Sequence, residues 1–260
     1  DAEGVHLPYP ALIYGFAQGV TRPSNAVTGV SGLGTQLPAD LRAKLAPQFL
    51  DHYARIHNFD VRGKGLDAFQ VPEAGTTQCA EWNLNWWERV WEEDSDEDVP
   101  LVRLAIAWLR QNLPVMDRAG VVHADYRVGN FLFTEHDSKI SAWLDWELGL
   151  IGDRHQDLAW TMSRAFGGLA EDGKTFLTCA LIPEDEFLAR YEKASGLPVN
   201  PVTLRWYKIY NGVVLATIAR ATGYRIALGG KTHQDVLTAW LIGITSMALD
   251  DLRSFLEETR

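Results

Sequence analysis

Cysteine is nearly absent: the 260 residues contain two, Cys79 and Cys179, far apart and at no metal-ligand spacing. That excludes a disulfide framework and a zinc module. Two free thiols in a cytoplasmic protein is the expectation, with one lone disulfide as the alternative. Clustered positive charge is absent too: 24 Lys and Arg face 34 Asp and Glu, for a net charge of -10. Nucleic acid and anionic membrane both need dense cations to displace counterions, so neither is expected as a partner. No apolar run reaches the roughly 20 residues of a membrane-spanning helix. No basic stretch followed by an apolar one marks a signal peptide. What is present is a chain 47% hydrophobic, able to bury a large core as one large domain or two small ones.

The apolar run 9–20, YPALIYGFAQGV, predicts a buried strand and its exit. The Gly-, Ser-, Thr- and Asn-rich stretch 21–37 predicts a loop. From Pro38 to Asn58, Leu41, Leu45, Phe49, Leu50, Tyr53 and Ile56 recur at helical spacing. Residues 60–78 form a Gly-containing connection. In EWNLNWWERVWEED, residues 81–94, Trp82, Trp86, Trp87 and Trp91 fall largely along one helical face, a stripe more often core than ligand cage. The acidic run Glu92 to Asp98 predicts a solvated loop or helix end. Another amphipathic helix covers 99–112, stopped by Pro114. AGVVHAD, NFLFTE and KISAWLDWE then predict a three-strand patch, and beyond Gly152 helices are expected near 153–166, 184–195, 201–222 and 232–257. Breaks fall at Gly167-Gly168, Gly196-Leu197-Pro198 and Gly229-Gly230. A β island inside a helical domain suggests strands that position loops.

Residues 121–160 carry the chemistry. Asp125 is followed five residues later by Asn130, across a short loop, and Asp145 ends a following strand. Phosphoryl transfer needs one carboxylate to orient a hydroxyl and accept its proton, and oxygen ligands to hold Mg²⁺ against the phosphates. Asp125 suits the first role; Asn130 and Asp145 suit the second. A carboxylate alone in a loop is ordinarily a turn former or cap; the joint pattern of His123, Asp125, Asn130, Asp145 and Asp157 is what points to a site. Asp153, after Gly152 at a helix start, predicts an N-cap. Glu147 is placed to reach a second metal, the substrate, or only solvent.

HADYRVGN, residues 123–130, is similar to the H-x-D-x-x-x-x-N catalytic loop of the aminoglycoside and choline kinase-like phosphotransferases, relatives of protein kinases. LDWE, residues 144–147, occupies the place of their metal-binding Asp segment, and Asp157 in GDRHQDLAW resembles their further Asp in the next helical region. The chain looks closest to the subgroup with DWE here, including kinase-like modules fused to some acyl-CoA dehydrogenases. The resemblance implies a mainly α (α+β) fold: a protein-kinase-like large C-terminal lobe with a small β-hairpin island. It implies catalysis by Asp125, Asn130 and Asp145, with Mg²⁺ held by Asn130 and Asp145 and ATP or GTP as donor. His123 and Asp157 become structural supports of the loop.

Two parts of that pattern are missing. No Lys precedes Lys44, which sits in a helix, and no G-x-G-x-x-G is present; GVSGLG at 29–34 is G-x-x-G-x-G. The small N-terminal lobe is therefore expected to be largely absent, with 1–20 as its hinge-strand remnant and 21–260 as the helical lobe. The chain opens on Asp1 rather than Met, which suggests an upstream segment. Backbone groups of Gly15 and Ala17 would meet the adenine edge, and the exposed edge strand invites self-association. As given, the chain is expected to be inactive. The competing readings are a non-catalytic pseudokinase or binding module and a metal-dependent phosphohydrolase. For the hydroxylated acceptor, the acids 92–98 and the aromatics suit a cation, whereas Arg205, Arg220 and Arg225, near Tyr207, Tyr210 and Asn211, suit an anion.

Overall fold

The computed structural model describes residues 4–9, 11, 14–24, 36–233, 235 and 242–258. Helix α1 (Ala39–His57) buries Leu45, Phe49 and Tyr53 completely, at the four-residue spacing that keeps one face on the core. Helix α2 (Gln78–Asp94) and helix α3 (Pro100–Gln111) follow, the latter opened by a Pro whose fixed φ suits the first helical position. Near the C-terminal half, Asn200 accepts hydrogen bonds from the Val202 and Thr203 amides and starts α6 (Pro201–Ala216). Trp206, Tyr207, Ile209, Tyr210 and Val213 are all buried, so, while Arg205 reaches solvent, α6 turns a broad apolar face to the core. It packs against α3, α4 (His155–Thr161) and the last helix, α8 (Thr245–Glu257).

Two antiparallel strand pairs are nested between these helices. β1 (Gly120–Val122) pairs with β4 (Leu150–Gly152), and inside that pair in sequence β2 (Phe131–Thr134) pairs with β3 (Lys139–Trp143). The nesting has a geometric consequence. The β1–β2 connection, 123–130, and the β3–β4 connection, 144–149, must leave side by side, and the Leu144 amide donates to the Asn130 carbonyl at 2.7 Å.

The mainly α architecture with small β islands agrees with expectation, but several elements differ. The patch is two separate strand pairs rather than one three-stranded unit, and β4 was not anticipated. The helix expected over 153–166 is shorter: α4 stops at Thr161 and a 3₁₀ turn, Arg164–Phe166, follows. A further antiparallel sheet, β5 (Gly168–Leu169), β6 (Phe176–Thr178) and β7 (Ile182–Pro183), then precedes α5 (Glu184–Ser195). The helix expected to end near 222 continues through a π-helical segment, Thr217–Thr222, into α7 (Gly223–Gly229). Gly196 and Gly230 both adopt left-handed φ just beyond α5 and α7, as C-terminal stops do. Of the helix expected over 232–257, residues 234 and 236–241 lie outside the described residues, as do 25–35 with GVSGLG.

The strand expected over 9–20 does not form among the described residues. Tyr14 and Phe16 are more than 80% exposed, and residues 14–19 have no ladder partner. Strand geometry needs a neighbouring strand to satisfy its amides, and an apolar run without one stays irregular. Only Val20 pairs, in a single bridge with Phe133 at 2.9 and 3.0 Å. The edge strand proposed for self-association is thus not seen there. Cys79 and Cys179 are buried and not bonded to each other.

Candidate active site

The loop between β1 and β2 is held from below. Asp157, completely buried on α4, accepts the amide protons of His123 at 2.8 Å and Ala124 at 2.7 Å. Its Oδ2 also meets His57 Nε2 at 3.2 Å, while His57 Nδ1 faces the Tyr191 hydroxyl at 2.8 Å. Burial pushes the pKa of His57 down despite the neighbouring Asp157, so a neutral imidazole donates to Asp157 and accepts from Tyr191. His123 accepts the Asp125 amide on Nδ1 at 3.3 Å and faces the Leu144 carbonyl with Nε2 at 2.9 Å. That pair of backbone partners selects the Nε2–H tautomer and ties the two connections together. Beneath them, Tyr126 stacks between Tyr53 (3.9 Å between centroids) and Trp143 (3.8 Å), and its hydroxyl donates to the Phe49 carbonyl.

On this base stands Asp125. Its Oδ1 accepts from Arg127 Nε at 2.7 Å and from Trp160 Nε1 at 2.6 Å, and its Oδ2 accepts from Asn130 Nδ2 at 2.5 Å. Asn130 Nδ2 also donates to the Asp125 carbonyl at 2.9 Å. Gly129, at φ +105°, makes the turn that returns Asn130 toward Asp125. Because the Asn130 amide nitrogen is used on Asp125, its oxygen is the atom left for a ligand.

Asp145 is exposed at the end of the β3 exit, in a left-handed conformation (φ 66°, ψ 47°), and Ala124 in the facing loop is also left-handed at φ 65°. Non-glycine residues rarely hold this region, and such strain concentrates at functional sites. Asp145 and Glu147 place two carboxylates together. Repulsion from Asp145, their hydrogen bond, slight burial and then Asp125 raise the pKa of Glu147. Paired carboxylates are hard-oxygen donors of the kind Mg²⁺ prefers, and the Asn130 amide oxygen is a donor of the same kind.

The structure therefore brings Asp125, Asn130, Asp145, His123 and Asp157 to one locus. Gly15 and Ala17, expected at the adenine edge, lie on the irregular stretch, with no hydrogen bond to that locus among the described residues. Asp153 accepts the His155 amide at 2.9 Å and His155 Nδ1 at 2.6 Å, at the start of α4.

Sequence reasoning missed Trp160 and Arg127, the two further donors on Asp125. Trp160 follows Asp157 by three residues and so shares its helical face, which was the available signal. The Trp stripe divides, with Trp87 packed against the core as well as facing a cavity. Trp91 is core, but Trp82, Trp86 and Trp87 line a cavity of about 680 Å³ together with Ala124, Glu147 and Trp160. The acidic run is not merely solvated: Asp94 pairs with Arg225 at 2.9 Å and Glu97 with Arg220 at 2.7 Å.

Residues 3–207 match the family model described as "Phosphotransferase enzyme family". Among curated proteins, the chain is 24% identical over 193 residues to acyl-CoA dehydrogenase family member 11 of Gallus gallus, covering 71% of this chain and 24% of that protein. It is 30% identical over 112 residues to acyl-CoA dehydrogenase family member 10 of Mus musculus, covering 41% of this chain and 10% of that protein. It thus spans about a quarter or less of those relatives. Among solved structures, a Ralstonia eutropha protein assigned as an aminoglycoside phosphotransferase superposes with a TM-score of 0.69 at 20% identity, over 92% of this chain and 71% of that one. The choline kinase LicA of Streptococcus pneumoniae superposes with a TM-score of 0.52 at 17% identity, over 83% and 65%.

Proposed function

Because the chain belongs to the phosphotransferase enzyme family, we propose that its site transfers the γ-phosphoryl group of ATP or GTP to a hydroxyl of a small molecule, with Asp125 as the base. The observation that carries this reading is the set of three donors on the Asp125 carboxylate, from Arg127, Asn130 and Trp160, which fixes its orientation. A carboxylate so held can receive the acceptor's proton while the acceptor oxygen bonds to the γ-phosphorus. The bond from that phosphorus to the β,γ-bridging oxygen breaks, and its electron pair leaves with the nucleoside diphosphate. Asn130 Oδ1 and Asp145, with Glu147 beside them, would hold Mg²⁺. When bound, the ion neutralises charge on the phosphates. Asp157 and His123 keep the loop at fixed height, so that Asp125 meets the hydroxyl without reorganisation.

The sequence supplies no Gly-rich phosphate loop and no strand Lys before Lys44, so this chain alone grips the triphosphate from one side. We therefore propose low or no transfer by the isolated chain, with full activity requiring a phosphate-covering lobe. Its two unpaired thiols fit a reducing cytoplasm. A pseudokinase would have no physical need for this trio together with its supports. Acceptor-dependent nucleotide turnover in the natural full-length protein tests the reading. Asp125→Asn should lower it by about 10²-fold or more while nucleotide affinity stays the same, and an unchanged rate would refute the role of Asp125.

A further inference from the structure

The cavity beside Asp125 differs in kind from both acceptor pockets that the sequence suggested. Of the arginines that would have read an anion, Arg220 is engaged with Asp96 and Glu97 and Arg225 with Asp94, Arg205 is exposed, and none of the three lines the cavity. Of the acids at 92–98 that would have read a cation, Asp94, Asp96 and Glu97 are taken by the same pairing and Glu92 and Asp98 by Arg103, and none of the run lines the cavity. Among the described residues lining the cavity, Glu147 is the only ionic one. It is exposed and faces Asp145 on the proposed metal side. Cys79, whose thiol burial pushes up to about 11, and Tyr210, pushed higher by burial, contribute neutral groups.

An aromatic cage for a cation is no better supported. The ring of Trp86 already has the Arg89 guanidinium over it, 4.7 Å from the centroid, so a second cation there would meet like charge. What the wall offers instead is flat indole surface and amides. Asn83 Nδ2 donates to Gln156 Oε1 at 2.9 Å, and Asn211 Nδ2 donates to the Gln156 carbonyl at 2.9 Å. These bonds leave the Asn83 and Asn211 amide oxygens as acceptors and the Gln156 NH₂ as a donor. An alternating neutral set of this kind reads hydroxyl groups, each of which both donates and accepts. An anionic ligand group would be desolvated here with no opposite charge to meet it, and the carboxylates at the cavity's edge, Glu147 with Asp145, stand on the proposed metal side.

Resting on the phosphotransferase reading, we propose that the acceptor is an uncharged polyhydroxylated ring, such as a neutral sugar or cyclitol. Its apolar face lies on the indoles, and one hydroxyl is presented to Asp125. Trp160 joins the two functions, since it lines the cavity and donates to Asp125.

The test is a titration of this chain, without nucleotide, followed by tryptophan fluorescence and calorimetry. Three ligands share one ring: methyl glucoside (neutral), methyl glucosaminide (cationic) and methyl glucuronide (anionic). The neutral ring should bind saturably and at least tenfold tighter than either charged one. Trp82→Ala, at a position 39% exposed and with folding checked by circular dichroism, should weaken it about tenfold. Equal or tighter binding of a charged ring, or no saturable binding of the neutral ring up to tens of millimolar, overturns the proposal. Because nucleotide is left out, the outcome is separable from that of the kinase reading. Asp145-dependent nucleotide binding without ring binding sinks this inference alone, and ring binding without nucleotide binding sinks the kinase alone.

Discussion

Trp160 Nε1 donates to Asp125 Oδ1 across 2.6 Å, joining the wall of the acceptor cavity to the carboxylate proposed as base. A hydrogen bond to an ionised group contributes roughly 1.5–3 kcal/mol. Trp160→Phe keeps an aromatic ring and removes the donor. In the natural full-length protein it should lower acceptor-dependent kcat about tenfold or more and leave the affinity for Mg²⁺-nucleotide unchanged. A kcat equal to wild type would show that Arg127 and Asn130 position Asp125 without it.

The second expectation concerns stability. Asp157→Ala would strand the His123 and Ala124 amides and the His57 ring in a site with no water access. Each buried polar group left unsatisfied costs about 1–3 kcal/mol, so urea denaturation should show a loss of about 3 kcal/mol or more. A loss under 1 kcal/mol would mean that the loop is held by other contacts, such as His123 on Leu144.

The third concerns pH. Burial lowers the pKa of His57 in the folded chain from its ordinary 6.5. The unfolded state therefore binds a proton that the folded state refuses. This contribution is fully present above pH 6.5 and is lost as pH falls through 6.5 toward the folded value. Melting temperatures should decline between pH 7.5 and 5.5, and His57→Gln should flatten the decline. Parallel curves for the two proteins would contradict a buried neutral His57.

Particular residues show why some of this was legible in the sequence. Helix α1 could be read from Leu45, Phe49 and Tyr53, and the end of α5 from Gly196, because period and cap are local properties. The loop 123–130 could be read because its residue types and spacing are themselves the chemistry. Strands β5 to β7 could not, since two or three residues carry no alternation. The run 9–20 misled because apolar content does not reveal whether a partner strand exists. The acids at 94–97 looked solvated because Arg220 and Arg225 lie far along the chain. The stripe of α2 looked like core because an indole that lines a cavity has the same spacing as one that fills a hydrophobic centre.

The most direct measurement is calorimetric titration of this chain with a non-hydrolysable ATP or GTP analogue, to millimolar concentration, with and without Mg²⁺. It would be run on wild type, Asp145→Ala and Asp125→Asn. Asp145 is proposed to reach the nucleotide through the metal, and Asp125 to act on the acceptor. Binding should therefore require Mg²⁺ in wild type, survive in Asp125→Asn and fall at least tenfold in Asp145→Ala. Binding that ignores Mg²⁺, or that is the same in all three proteins, would contradict phosphoryl transfer at this site.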